Sequence, residues 1–154
     1  MTKRSVTHGT FRIERVYPAT PARVFAAWAR ADQKPAWFGS PDEGPDRQYE
    51  LDFRVGGREF ASGRTPGGGA TYTYEALFQD ILPDERIVYS YIMDVNDTRI
   101  SVSLGSVEFR PEGTGTRLTY VEHGAYLDGH DSPASRERGT IELFDNLEIF
   151  LTGV

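Results

Sequence analysis

Apolar and polar positions trade places along most of this chain with the period of strands. In TFRIERVYP, Phe11, Ile13 and Tyr17 alternate with Arg12 and Glu14, which is the pattern of a half-buried strand, with Arg15 interrupting the apolar face. ATPARVFAAWAR follows a different rule. Thr20 is placed to cap a helix, Pro21 suits its first turn, and Val24, Phe25 and Trp28 share a face. That helix is expected to stop near Asp32. DQKPAWFG then predicts a second short turn that presents Trp37 and Phe38 and ends at Gly39.

After the Pro-, Gly- and Asp-rich loop SPDEGPDRQ, the period of two returns. YELDFRVGG places Tyr49, Leu51, Phe53 and Val55 on one face, and Gly56-Gly57 predicts a two-residue hairpin from which REFASGR runs back. TYTYEALFQDIL sets Tyr72, Tyr74, Ala76 and Phe78 in phase, and RIVYSYIMDV does the same for Ile87, Tyr89, Tyr91 and Met93. In TRISVSLGSVEFRPEG the series Ile100, Val102, Leu104 resumes at Val107 and Phe109, so a β-bulge is expected at Gly105-Ser106. GTGTRLTYVEH is the last strand, with Leu118 and Tyr120 on one side and Glu122 in the same phase. Ser132-Pro133 reads as a helix start. SRERGTIELFDNLEIFL then carries Thr140, Phe144, Leu147 and Leu151 at i, i+4, i+7 and i+11, broadened by Ile141, Leu143 and Phe150.

The order is strand, two short helices, about six antiparallel strands in a meander, and one long helix. A meander with one apolar face needs a cover, and only the terminal helix is long enough to provide it. The expectation is an α+β domain spanning 1–154, with a curved sheet wrapped around that helix and a pocket left between them.

The residues that carry this pattern resemble a known family. RVYPATPARVFAAW and PAWFG, PDERIVYSY, GTRLTYVEHGAYLDG, and RERGTIELFDNLEIFL follow one another as in the helix-grip (START-like, Bet v 1-like) superfamily known as SRPBCC. Within it the chain is similar to the branch named for the activator of the heat-shock protein 90 ATPase, in its short bacterial members. The resemblance implies the helix-grip fold and a hydrophobic or amphipathic small molecule as ligand, or a cyclase, dehydratase or aromatase-like activity. Many relatives carry Trp after the glycine of the terminal helix, where this chain has Thr140 after Gly139, which implies an altered pocket floor. The eukaryotic activator has a separate chaperone-binding domain, for which no segment of this chain is suited.

Charge and composition narrow the chemistry. With 17 basic and 23 acidic side chains the net charge is −6, a poor match to a phosphate backbone, so no nucleic-acid partner is expected. Cysteine is absent, which removes disulfides and thiolate chemistry and suits a reducing compartment. No apolar run has the roughly 20 residues of a membrane helix, and the N-terminus lacks a signal-peptide core, so a cytoplasmic protein without a membrane partner is expected. His8, His123 and His130 are scattered, no metal-ligand spacing appears, and no Gly-x-Ser-x-Gly elbow is present. Neither a metal nor a cofactor is called for, and catalytic residues stay unassigned.

Aromatic content is the positive signal. Buried tyrosines bring hydroxyls that must find partners, and an apolar cavity with a few convergent polar groups is the usual form of a ligand site. The candidate ligand-binding residues are Trp37 and Phe38 at the mouth, Tyr74, Tyr89, Tyr91 and Phe144 on the walls, and Phe53. Glu122 joins them as a charge in apolar phase, costly to bury unless paired; Arg15 raises the same question. The first reading is a non-catalytic or weakly catalytic binder of a hydrophobic small molecule. The alternatives are a cyclase- or dehydratase-type enzyme on an aromatic or polyketide-like substrate, and an accessory module of a chaperone or stress pathway. A homodimer through the sheet or loops is compatible with the chain.

Overall fold

The first alternating stretch becomes β1 (Val6–Tyr17), whose Phe11, Ile13 and Tyr17 point into the core. Coordinates come from a computed structural model that describes residues 3–39 and 43–153, so Ser40, Pro41 and Asp42 of the predicted loop lie outside the described residues. The helix α1 (Pro21–Ala29) starts as expected, with the Thr20 hydroxyl accepting from the Arg23 N–H, but it ends three residues before Asp32. A 3-10 turn at Lys34–Ala36 delivers Trp37 and Phe38.

Strands β2 (Gln48–Leu51), β3 (Arg58–Arg64), β4 (Thr71–Leu82), β5 (Arg86–Val95), β6 (Thr98–Glu112) and β7 (Gly115–Leu127) follow, and α2 (Pro133–Thr152) closes the described chain. All strand pairs are antiparallel, in the order β1-β7-β6-β5-β4-β3-β2. The β5–β6 connection is the two-residue turn Asn96-Asp97, both at positive φ, which matches the twist of the strands it joins. α2 has Ser132 as its cap, with the hydroxyl accepting from the Ser135 N–H, and Pro133 in its first turn. It packs along β1 and α1, turning Arg136, Thr140, Phe144 and Leu147 inward.

Two expectations about the sheet are corrected. The strand read through Val55 stops at Leu51, because Asp52–Gly57 forms a wider loop in which the Gly56 N–H donates to the Phe78 carbonyl, leaving Val55 exposed. The bulge expected at Gly105-Ser106 is elsewhere: β6 keeps continuous register there, with Gly105 opposite both Tyr89 and Glu122. The register shifts instead between Met93 and Asp94 on β5, opposite Ser101 and Arg99, so Ile100 and Ser101 are buried in succession. A second shift falls between Phe78 and Asp80. The apparent slip arose because Val102 and Leu104 are apolar yet exposed on the convex face.

The inward face of β6 is therefore Ser101, Ser103, Gly105, Val107 and Phe109. Three small residues lie at the middle of the sheet, flanked by the large side chains of β5 and β7. The lower half of the concave face is filled by Phe25, Trp28, Phe109 and Phe78 with their neighbours, joined edge to face. Beyond the small residues of β6 the protein's own side chains do not fill the space under α2.

Candidate functional site

A cavity of about 590 Å³ opens between the concave sheet and α2, within the size range of sites for small organic molecules. β4 and β5 supply Tyr72, Tyr74, Tyr89, Tyr91 and Met93; β7 supplies Tyr120 and Glu122; α2 supplies Arg136, Gly139, Thr140, Leu143 and Phe144. The turn after α1 adds Trp37 and Phe38, and Trp28 joins them.

Seven of the eight candidate residues, Trp37, Phe38, Tyr74, Tyr89, Tyr91, Glu122 and Phe144, line this cavity. Phe53 does not. It lies in the loop after β2, edge to face with Phe25 at 5.6 Å and Phe78 at 5.0 Å, because the strand that was to carry it inward ends two residues earlier. Trp37 is only 1% exposed, with its indole N–H donating to the Ala27 carbonyl, so it is part of the wall rather than a gate. Arg15 reaches out to Asp145 on α2 at 2.7 Å and takes no part.

The polar end is built around Glu122, 1% exposed. Tyr120 donates to its Oε1 at 2.5 Å and Tyr91 to its Oε2 at 2.9 Å. Tyr89 and Tyr120 hydroxyls are 3.0 Å apart. Gly105 makes this convergence feasible, since a Cβ there would stand 2.9 Å from both Tyr120 Oη and Tyr89 Cζ. Burial pushes the Glu122 carboxyl above its ordinary value, opposed by the Tyr120 hydroxyl, the Arg136 charge and the Tyr91 hydroxyl. Burial also drives the phenols of Tyr74, Tyr89 and Tyr120 well up, so they stay neutral donors and acceptors.

Arg136 is a buried charge of the cavity wall that the sequence reading missed. It is 9% exposed and lies 3.8 Å from Glu122. Its Nη1 donates to Tyr91 Oη at 2.8 Å, and its Nη2 to Ser101 Oγ at 2.7 Å and Asp131 Oδ2 at 3.0 Å. Burial works against its charge, but Tyr91, Glu122 and Asp131 outweigh that and hold its pKa up. The available signal was its place four residues before Thr140, one turn further along the inward stripe.

A second buried pair braces the other side. Lys34 Nζ meets Glu59 Oε2 at 2.8 Å with side chains 3% and 1% exposed. The ammonium sits 4.3 Å from the Phe38 ring centre, 5.1 Å from Trp28 and 5.6 Å from Trp37. Tyr49 also donates to Glu59 Oε2. This pair fastens the turn that carries Trp37 and Phe38 to β3.

Chemically, the cavity offers aromatic walls, two buried carboxylates, Glu43 and Glu122, and one buried guanidinium, Arg136. The three histidines are exposed, and none lines the cavity. Among the described residues no group of three or more His, Asp or Glu is placed to hold a metal ion, and no helix is long and apolar enough to cross a membrane.

Comparison with known proteins agrees with this fold. A solved structure of an uncharacterized protein from Rhizobium leguminosarum is 40% identical over 99% of this chain and 100% of that one, with a TM-score of 0.92. Protein Mll3558 from Rhizobium loti is 46% identical over 95% of this chain and 99% of its own, with a TM-score of 0.85. Protein CV1439 from Chromobacterium violaceum, 24% identical over 92% of this chain and 96% of its own with a TM-score of 0.77, shares the fold. No curated protein matches the sequence. Residues 18–152 match the family described as activator of Hsp90 ATPase homolog 1-like protein, and the chain belongs to that family, within the SRPBCC helix-grip fold.

Proposed function

We propose that this protein binds a hydrophobic small molecule in the cavity between the curved sheet and α2. The observation that carries the reading is an aromatic enclosure of about 590 Å³ whose polar groups gather at one end. Apolar walls favour a ligand by removing its surface from water, at roughly 25 cal/mol per Å² before the costs of association. Trp37, Phe38, Tyr74, Tyr89, Tyr91 and Phe144 supply contact area, and Glu122 with its phenols supplies orientation. Members of this fold family often bind ligands, which supports the same use here.

The test uses N-phenyl-1-naphthylamine, a neutral dye that brightens in apolar surroundings. Its titration is expected to saturate at one site. Gly139 lines the cavity from α2, and a Cβ there meets nothing within 4 Å. Gly139→Trp should therefore fill the space and abolish saturable binding. Gly139→Ala should retain it and add about 1 kcal/mol of helix stability. Undiminished dye binding by Gly139→Trp would place the ligand elsewhere.

A further inference from the structure

We infer that the ligand is an uncharged, largely apolar molecule that carries a hydrogen-bond donor, a hydroxyl or N–H, received by Tyr89 and Glu122. This rests on the cavity being a binding site and specifies what it accepts.

The reason lies in where the protons point. A phenol has one proton and two lone pairs, a carboxylate has only lone pairs, and a guanidinium has only donors. Tyr91 and Tyr120 both donate to Glu122. With the Tyr120 proton committed there, the hydrogen in the 3.0 Å contact between Tyr89 and Tyr120 belongs to Tyr89. Tyr91 in turn accepts from Arg136. The protons thus run from Tyr89 through Tyr120 to Glu122, and from Arg136 through Tyr91 to the same carboxylate.

The remaining tyrosines of the wall obey the same rule. Tyr72 donates to Glu43 at 2.6 Å, and Tyr74 faces Glu59 at 3.5 Å. Each of the five phenols lining the cavity thus directs its proton toward a glutamate, directly or through one neighbour. What the phenols and Glu122 leave for a guest is lone pairs, on Tyr89 Oη and on the carboxylate; the donors of the wall still open include the buried Trp28 indole N–H and the remaining hydrogens of Arg136. Placed against Tyr89 and Glu122, a guest that only accepts, such as an ether or a ketone, would set lone pair against lone pair.

Charge points the same way. The described lining includes Glu43, Glu122, Asp131 and Glu142 against Arg64 and Arg136. Arg64 faces Asp46 at 3.7 Å, and Glu43 is paired with Arg47 at 3.2 Å. Arg136, which has hydrogens to spare, stands between two carboxylates, Asp131 at 3.0 Å and Glu122 at 3.8 Å. An anionic head group would enter a region where negative charge already exceeds positive.

The test compares three naphthalenes of similar size by isothermal titration calorimetry on the full chain at pH 7: 2-naphthol, 2-methoxynaphthalene and 2-naphthoate. The expected result is 2-naphthol binding at least about tenfold more tightly than either of the others, the scale of one hydrogen bond to a charged acceptor. Tyr89→Phe and Glu122→Gln, two independent changes, should each shrink that advantage to about threefold or less. Equal affinity for 2-naphthol and 2-methoxynaphthalene overturns the donor requirement while leaving the cavity as a binding site. Tighter binding of 2-naphthoate overturns it in favour of Arg136 as the recognition group. If none of the three binds and the dye does not either, the cavity reading falls too.

Discussion

Removing the Lys34 charge is the sharpest single perturbation this architecture offers. Lys34→Met keeps an apolar stem of similar reach and deletes the ammonium that meets Glu59 at 2.8 Å and sits over Phe38, Trp28 and Trp37. Glu59 would remain, 1% exposed, with, among the described residues, the hydroxyls of Tyr49 and, at 3.5 Å, Tyr74 for company. Stranding one member of a buried pair costs about 3–5 kcal/mol. For a chain of this length, each kcal/mol moves the midpoint by about 2–4 °C, so Tm should drop by roughly 6–20 °C. Replacing the pair outright, Lys34→Met with Glu59→Leu, should cost much less than the sum of the two single changes, because no uncompensated charge is left. Urea unfolding followed by both tryptophan fluorescence and far-ultraviolet circular dichroism gives the free energies, and the double-mutant cycle gives the coupling. Because the same pair holds the turn bearing Trp37 and Phe38, Lys34→Met should also weaken binding of N-phenyl-1-naphthylamine. A cost for Lys34→Met below about 1 kcal/mol, with additive behaviour in the double variant, would show that water or a rearranged turn already satisfies Glu59.

Two further predictions concern the opposite end of the cavity. Burial raises the pKa of Glu122 above its ordinary 4.5, so the folded protein holds that proton more tightly than the unfolded chain. Its contribution to stability is therefore fully present below about pH 4.5 and is lost as pH rises through the folded value. Glu122→Gln cannot titrate and should lack this decline; urea midpoints at a series of pH values from 4 to 7 check it, and identical slopes in both proteins would refute it. Gly105→Ala should destabilise by about 1–3 kcal/mol in thermal unfolding, because its Cβ would press on Tyr120 Oη and Tyr89 Cζ at 2.9 Å; a neutral change would mean the two phenols relax freely.

Much of the container was legible because period alone placed it. Alternation put Tyr72, Tyr74, Tyr89 and Tyr91 on one face, and the stripe from Thr140 to Leu151 marked the helix that covers them. Glu122 stood out as a charge in apolar phase, and it is the centre of the polar end. The charged residues that complete the site were hidden by the same logic. Arg136 falls among Glu137 and Arg138 in a stretch that looks solvated, and only its partners across the sheet reveal that it turns inward. Glu59 is inward together with Ala61 and Gly63, a face with too little apolar content to announce itself. Val102 and Leu104 misled in the other direction, since an exposed apolar residue is common and carries no phase information.

The attachment of α2 is lopsided. Along one flank it is tied to β1 by Arg15 to Asp145 and by the Tyr17 hydroxyl donating to the Phe144 carbonyl. Over the central strands its direct polar links gather at its first turn, where Arg136 reaches Tyr91 and Ser101. A beam clamped along one edge swings most easily about that edge. Guests of unequal thickness would thus be met by a tilt of the helix around the β1 line, resisted chiefly by the arginine's two bonds, while the hydrogen-bonded ladder of the sheet stays whole.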